Sequence, residues 1–457
     1  MAIIDLKTVI FIVLGTLFCP VVAFLLGISY AVTWTLYLLY AGQGSNWTAL
    51  PTSPTRAWKV TLAIANNVWD TLRGPIIPII LRYIVYRLTS FEPRPRSEIG
   101  IQYGSRTGKR LDIYYSDRGN LFTDQGDLKP VVIVVQGGAW RSGARIIMKP
   151  VAELLQIEGD YVVVVPDYTL YPDGKIDEMV RDLQSCIFWT RKNISIYDGN
   201  PSEVYILASG AGAHIAALTV IKDVVDHVRW FDSTGTDAHR PSEDAHLRVP
   251  TWDRYTKPTA MPRVQGMILM SGIYDITYYH AWLFRQGLEE INAMDRVMGN
   301  DPSRFSDFSP TSLLASCLKQ LEDNPRLKQL LPQKWLLVHG TNDKVTPCTC
   351  SLQLHQLLVK ASFGVVEQKL YPLGHIDPRI FMILPTNEVC RALLDDVNEL
   401  ILTPSENFEP EGADATGREE DEELDAPPTP PPERRVWSPH ANGNSSRPAR
   451  ELSNGTQ

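Results

Sequence analysis

Four short stretches of this chain carry the residue types that together perform acyl transfer, and in one of them the attacking group is missing. Ala208-Ser209-Gly210-Ala211-Gly212-Ala213-His214 follows the apolar run Val204-Tyr205-Ile206-Leu207 and precedes the helix-like run 215–220. A sharp strand-to-helix turn of small residues is where such chemistry lifts a serine nucleophile clear of a sheet. Aligned on Gly212-Ala213-His214, the tip of the turn is Gly210, which has no side chain to attack with. Ser209 stands one residue earlier and is the weaker candidate nucleophile. One step along a tight turn redirects a side chain through a large angle, and its neighbours Leu207 and Ala211 are not the glycines such a turn needs. His214 reads as a residue packed under the following helix.

The remaining parts of the chemistry are spaced along the chain in a workable order. Asp343 lies in the loop His339-Gly-Thr-Asn-Asp343 after the apolar run 335–338, where a carboxylate would orient a histidine and stabilise its imidazolium. His375, in Gly374-His375-Ile376-Asp377, follows the last strand-like run and is the candidate base, with Asp377 the weaker candidate acid. Gln136-Gly137-Gly138-Ala139-Trp140 follows a valine-rich run. Its bare Gly137 and Gly138 backbone suits N–H donation to a developing oxyanion, with the N–H of Ala211 as a further donor. Cys348-Thr-Cys350 is too close for the usual zinc spacing and has no second pair, so no metal and no cofactor is expected. The six scattered cysteines read as reduced core thiols.

These groups need a frame that brings distant residues to one edge. Strand-like runs at 110–115, 131–136, 161–166, 204–207, 264–270, 335–339 and 368–371 alternate with helical patterns such as 177–191, 212–226, 349–362 and 387–400. Continuous valine and isoleucine runs suit strands buried on both faces, which predicts an α/β domain over 98–403 with a doubly wound, mostly parallel sheet. Gln136, Gly210, Asp343 and His375 then fall just past the C-terminal ends of strands, where such sheets gather their functional residues. Residues 227–262 and 276–332 interrupt the alternation and are expected as lid insertions.

Taken together, Gly137-Gly-Ala-Trp140, Asp167-Tyr168, 177–182, 193–201, Ala211-Gly-Ala-His214 and Gly374-His-Ile-Asp377 resemble the isoprenylcysteine α-carbonyl methylesterases, within the esterase–lipase group of α/β-hydrolases. The resemblance covers roughly 100–400 and implies an α/β-hydrolase fold and a membrane-anchored enzyme. It also implies a substrate in which a methyl ester caps a prenylated cysteine. Three departures stand out: the family's Gly-Gln-Ser-Ala-Gly elbow reads Ala208-Ser209-Gly210-Ala211-Gly212, its His-Gly-Gly begins with Gln136, and its Asp-Tyr-Arg is Asp167-Tyr168-Thr169.

Outside the body, the ends carry their own signals. No charged residue occurs between Lys7 and Arg56, and 9–40 is almost continuously apolar, enough for a transmembrane anchor within 1–58. Pro20, Gly15 and Gly27 leave open a kinked span or a re-entrant pair. Residues 59–97 are expected to be membrane-proximal or interfacial, since 76–88 is apolar but short and contains Arg82 and Arg87. Arg56, Lys59, Arg73, Arg82 and Arg87 follow the span against Lys7 before it, which places the body on the cytoplasmic side, of the endoplasmic reticulum or another endomembrane. From Ser405 onward 12 acidic and 5 basic residues account for −7 of the chain's −8, so 404–457 is expected to be a disordered acidic, proline-rich tail. The body is nearly neutral and has no basic stripe, which argues against nucleic acid as a partner. Three functions fit: a pseudo-hydrolase binding a lipidated or acyl ligand or a partner, an active ester hydrolase using Ser209 or a water activated by His375 and Asp343, and a scaffold working through a protein partner of the tail.

Overall fold

The computed structural model describes residues 6–40, 50–73, 76–89, 95–104, 108–116, 128–235, 261–361 and 364–403. Its strands are Arg96–Gln102 (β1), Arg110–Tyr115 (β2), Lys129–Val135 (β3), Val162–Pro166 (β4), Gly199–Ser209 (β5), Gly266–Met270 (β6), Lys334–Gly340 (β7) and Val365–Tyr371 (β8). They form one eight-stranded sheet in the order β1-β2-β4-β3-β5-β6-β7-β8. β1 and β2 run antiparallel, and β3 to β8 pair in parallel. This is the doubly wound α/β architecture expected from the alternation of runs.

The valine-rich strands explain the layering. Val131, Ile133 and Val135 pack into a core beneath helices Ile176–Asn193 and Ala211–Gly235, while Val132 and Val134 face a second core beneath helices Lys149–Gly159 and Glu388–Leu402. Successive strand side chains point to opposite faces, so a strand covered on both sides must be apolar throughout. Helix Ile176–Asn193 carries Asp177 and Glu178 in its first turn and Arg191 and Lys192 in its last, matching the polarity of the helix dipole. The Glu178 carboxylate also accepts from the backbone N–H of Lys175 at 2.9 Å.

Three sequence expectations differ from the structure. β1 carries no strand signal in the sequence, because Arg96-Ser-Glu-Ile-Gly-Ile-Gln is an exposed edge strand without an apolar run, and its pairing with β2 supplies the order its composition does not. The helix that starts at Ala211 continues to Gly235, so 227–235 is helix rather than lid; residues 236–260 lie outside the described residues. Within 276–332, helix Pro310–Asp323 packs on Ala211–Gly235 and Thr349–Ala361, and is part of the layer covering the sheet. Tertiary packing on an apolar helix face overrode the broken periodicity there.

The N-terminal segment is three helices. Leu6–Tyr40 is continuous through Pro20, and Pro20–Leu39 is by length and composition apolar enough to cross a membrane. Helix Pro54–Arg73 folds back on it, with Thr33 Oγ1 donating to the Ala57 carbonyl at 3.1 Å. Helix Ile76–Thr89 leads towards the sheet. The expected tail, 404–457, lies outside the described residues. Cys186, Cys317, Cys348, Cys350 and Cys390 are free thiols.

Ile133 is fully buried in β3 between Val164 of β4 and Ile206 of β5. Ile133→Ala is expected to lower the unfolding free energy of the full chain in detergent by ~2–5 kcal/mol, read from the denaturant midpoint.

Candidate active site

Gly210 follows the last residue of β5 at φ +55°, and its N–H donates to the Met270 carbonyl of β6 at 2.9 Å. That left-handed conformation is the one a strand-to-helix elbow demands, and glycine adopts it without strain. A Cβ built at Gly210 would find as its nearest neighbours His375 Nε2 at 3.5 Å and His375 Cε1 at 3.8 Å, ordinary contact distances. The space for a nucleophile beside the histidine is therefore present and the side chain is not.

Two glycines let the elbow and the loop after β3 meet backbone to backbone. A Cβ at Gly212 would lie 2.3 Å from the Gln136 carbonyl oxygen, and one at Gly137 would lie 2.6 Å from the Ser209 carbonyl oxygen. The Ser209 hydroxyl lies on the Gly137 side, 3.5 Å from that built Cβ, whereas His375 faces Gly210. The structure thus brings His375 to the empty position and forms no hydrogen bond between His375 and Ser209.

His375 donates from Nδ1 to Asp343 Oδ2 at 2.8 Å. The Nε2 lone pair is then the one aimed at Gly210. Asp343 is buried; its Oδ1 accepts from the N–H groups of Val345 and Thr346, each at 2.8 Å. Burial alone would raise its pKa, but His375 and His339 outweigh it and hold the carboxyl at about 2. His339 is fully buried at the end of β7, where no sequence motif singles it out. Its Nε2 lies 3.2 Å from Asp343 Oδ2 and 3.0 Å from the Thr346 carbonyl, both acceptors, so Nε2 carries the proton and Nδ1 accepts from the Ser351 hydroxyl at 2.6 Å. Its only sequence signal is its place four residues before Asp343. Asp377 serves differently: its Oδ2 accepts from the Gly374 N–H at 2.7 Å and shapes the loop that carries His375.

The loop after β3 is tightly turned. Gly138 sits at φ +134° with room for no side chain, and Ala139 and Trp140 both adopt positive φ. Such strain persists only where surroundings impose it. Here Trp140 Nε1 donates to His214 Nδ1 at 3.1 Å, and the Tyr168 hydroxyl donates to the Gln136 carbonyl at 2.9 Å. The N–H groups of Gly137, Gly138 and Ala211 donate to no backbone carbonyl among the described residues. They are the donors a developing oxyanion would use. The Gln136 amide is buried with no hydrogen-bond partner for either Nε2 or Oε1 among the described residues. His214 is buried as well, its Nε2 donating to the Phe308 carbonyl at 2.8 Å, and burial pushes its pKa down to about 4. It ties the loop, the elbow helix and the segment before Pro310 together. Thr169 donates through both N–H and Oγ1 to Asp182 Oδ2, while Lys109 supplies the cation to Asp182 Oδ1 at 2.6 Å. No cluster of three metal-ligating side chains exists among the described residues.

Comparison with known proteins finds esterases among those this chain is similar to. A family model described as BD-FAE matches residues 111–315. The isoprenylcysteine alpha-carbonyl methylesterase of Arabidopsis thaliana is 35% identical over 301 residues, covering 66% of this chain and 61% of that protein. A probable isoprenylcysteine alpha-carbonyl methylesterase of the same plant is 26% identical over 314 residues, covering 68% of this chain and 57% of that protein. The chain thus spans about three-fifths of the length of these two relatives. Among solved structures, esterase B from Lactobacillus rhamnosis superposes with a TM-score of 0.50 at 15% identity, over 76% of this chain and 96% of that one. At that identity the likeness is one of fold.

The histidine burial makes a pH prediction. The folded-state pKa of His214, about 4, lies below the ordinary value near 6.5, so the unfolded chain takes up this proton first as pH falls. Its contribution is fully present above pH ~6.5 and is lost towards pH ~4 at up to ~1.4 kcal/mol per pH unit. His214→Gln, which keeps a donor and an acceptor, is expected to flatten the dependence of the unfolding midpoint between pH 6.5 and 4; the Asp343 contribution, lost only below about pH 4, stays.

Proposed function

We propose, from the premise that this chain is an α/β-hydrolase of the esterase–lipase group, that it is a membrane-anchored member without the covalent step. In this reading it binds a lipidated or acyl ester, or a protein partner, rather than turning one over at an enzyme's rate. The observation that carries the reading is Gly210, with 3.5 Å between a built Cβ and His375 Nε2 and no hydroxyl in that place. In a serine protease, loss of the nucleophile alone lowers kcat by roughly 10⁶, leaving what binding and oxyanion donors supply. The ligand class follows from the relatives' names: an ester on a prenylated cysteine, whose hydrocarbon chain prefers lipid. We place the domain on the cytoplasmic side of an endomembrane, supported by the basic residues that follow the apolar helix.

A second reading has its own support, because the Asp343–His375 hydrogen bond of 2.8 Å is intact and Nε2 faces Gly210, which has no side chain. A water there would attack the ester carbonyl while His375 Nε2 takes its proton. The imidazolium, stabilised by Asp343, would then return that proton to the departing alkoxide, releasing acid and alcohol. Ser209 is the poorer nucleophile in this reading, since its hydroxyl lies on the Gly137 side.

Hydrolysis of a short-chain chromogenic ester by the full chain in detergent tests both. The native chain is expected to stay at background, and Gly210→Ser to gain at least ~10³-fold and to be labelled by a fluorophosphonate, despite ~1–3 kcal/mol of strain at positive φ. Native turnover that His375→Ala abolishes would overturn the binding-only reading. In that event absence of a fluorophosphonate adduct assigns the attack to water, and an adduct assigns it to Ser209.

A further inference from the structure

Helix Ile76–Thr89 wears its apolar side outward. Ile77, Ile80, Leu81, Ile84, Val85 and Leu88 are 39–80% exposed and fall at i, i+3, i+4, i+7, i+8 and i+11, a single stripe. Its inward side holds Ile79, fully covered, and the half-buried Tyr83, Tyr86 and Arg87. A helix on a water-soluble surface has the opposite arrangement. The helix is also fixed relative to the site. It packs on helix Asp377–Phe381, which starts two residues after His375, and Arg87 pairs with Glu153 of helix Lys149–Gly159 at 2.9 Å.

We propose that this stripe is seated in the lipid bilayer, with helix Ile76–Thr89 lying in the plane of the membrane that the first helix crosses. Continuity with the apolar helix identifies the occupant. The carbonyl of Leu39, at the end of the candidate span, accepts from Arg141 of the loop after β3 at 3.4 Å. Helix Pro54–Arg73, which leans on the span, turns Trp58 and Leu62 outward and is tied to the body by Arg56 and Glu289 at 2.6 Å. Charge agrees: the ionisable side chains of helix Ile76–Thr89 other than its tyrosines are Arg82 and Arg87, and exposed Arg82 is free to reach anionic headgroups beside the stripe. The loop bearing the oxyanion donors and the loop bearing His375 then both border the membrane. An ester carried on a hydrocarbon chain reaches the site without that chain leaving lipid. The proposal rests on the membrane-anchored reading above and not on whether the site turns over.

The test is spin-label accessibility on the full chain in phosphatidylcholine–phosphatidylserine vesicles, with Cys19→Ala and Cys348→Ala to remove competing thiols. Nitroxides are placed singly at Phe24→Cys, Ile84→Cys, Leu88→Cys and Glu322→Cys. Labels at 84 and 88 are expected to be relaxed by oxygen rather than by an aqueous nickel chelate, as label 24 is, and label 322 the reverse. Leu81→Glu/Val85→Glu is expected to shift label 88 towards the nickel chelate with the unfolding midpoint unchanged. Labels 84 and 88 in water with label 24 in lipid would overturn this proposal alone; label 24 in water as well would overturn the anchored reading with it. Shielding of 84 and 88 from both reagents, with dipolar broadening between copies, would assign the stripe to a second copy and overturn the bilayer.

Discussion

The buried carboxylate of Asp343 is the group around which this site is arranged. Taking a charge out of water is costly unless it is paired and hydrogen-bonded, and here two backbone N–H groups and two imidazoles meet it. The result is a carboxyl held ionised, with a pKa of about 2. That charge orients His375 through Nδ1 and thereby decides which ring nitrogen faces Gly210. It also draws in His339, whose other nitrogen reaches Ser351 in helix Thr349–Ala361. One charge so links the ends of β7 and β8 to the helix between them.

In the proposed binding role, this arrangement gives Asp343 and His375 a structural reason to persist without a nucleophile at position 210. Removing an imidazole that donates to the buried Asp343 carboxylate leaves a charged acceptor short of a partner, at a cost on the order of 1–3 kcal/mol or more. The same holds for the backbone contact between the elbow and the loop after β3, where Gly137 and Gly212 have no room for a Cβ. A glycine at 210 disturbs neither, since only ordinary contact distances surround that position. A side chain at position 210 is thus one that the packing around Asp343 and the elbow does not require.

The N-terminal helices extend the same logic outward. Arg56 with Glu289 and Arg87 with Glu153 fix two helices to the body by charge, while apolar side chains on those helices turn away from it. Polar inside and apolar outside is stable where the surroundings are themselves apolar. The loop carrying Arg141 reaches the Leu39 carbonyl of the first helix, and the helix that follows His375 packs on Ile76–Thr89.

How much of this was legible depended on whether the signal was local. Runs such as Val131-Val132-Ile133-Val134-Val135 announce strands covered on both faces, and the glycine-rich turn at 208–214 announces a strand-to-helix elbow, because both are dictated by backbone and burial at the residues themselves. The strand-end placement of Asp343 and His375 was readable for the same reason. The edge strand β1 was not, since its order comes from β2 rather than from its own composition. Nor was the role of His339, whose importance is a distance to a carboxylate across a loop. The sequence by itself determined the sheet, the elbow and the glycine at its tip. Only the tertiary structure decided that Asp343 rather than Asp377 meets His375, that Ser209 turns towards Gly137, and that one helix exposes its apolar face. Each of those depends on which direction a side chain takes once distant segments have packed.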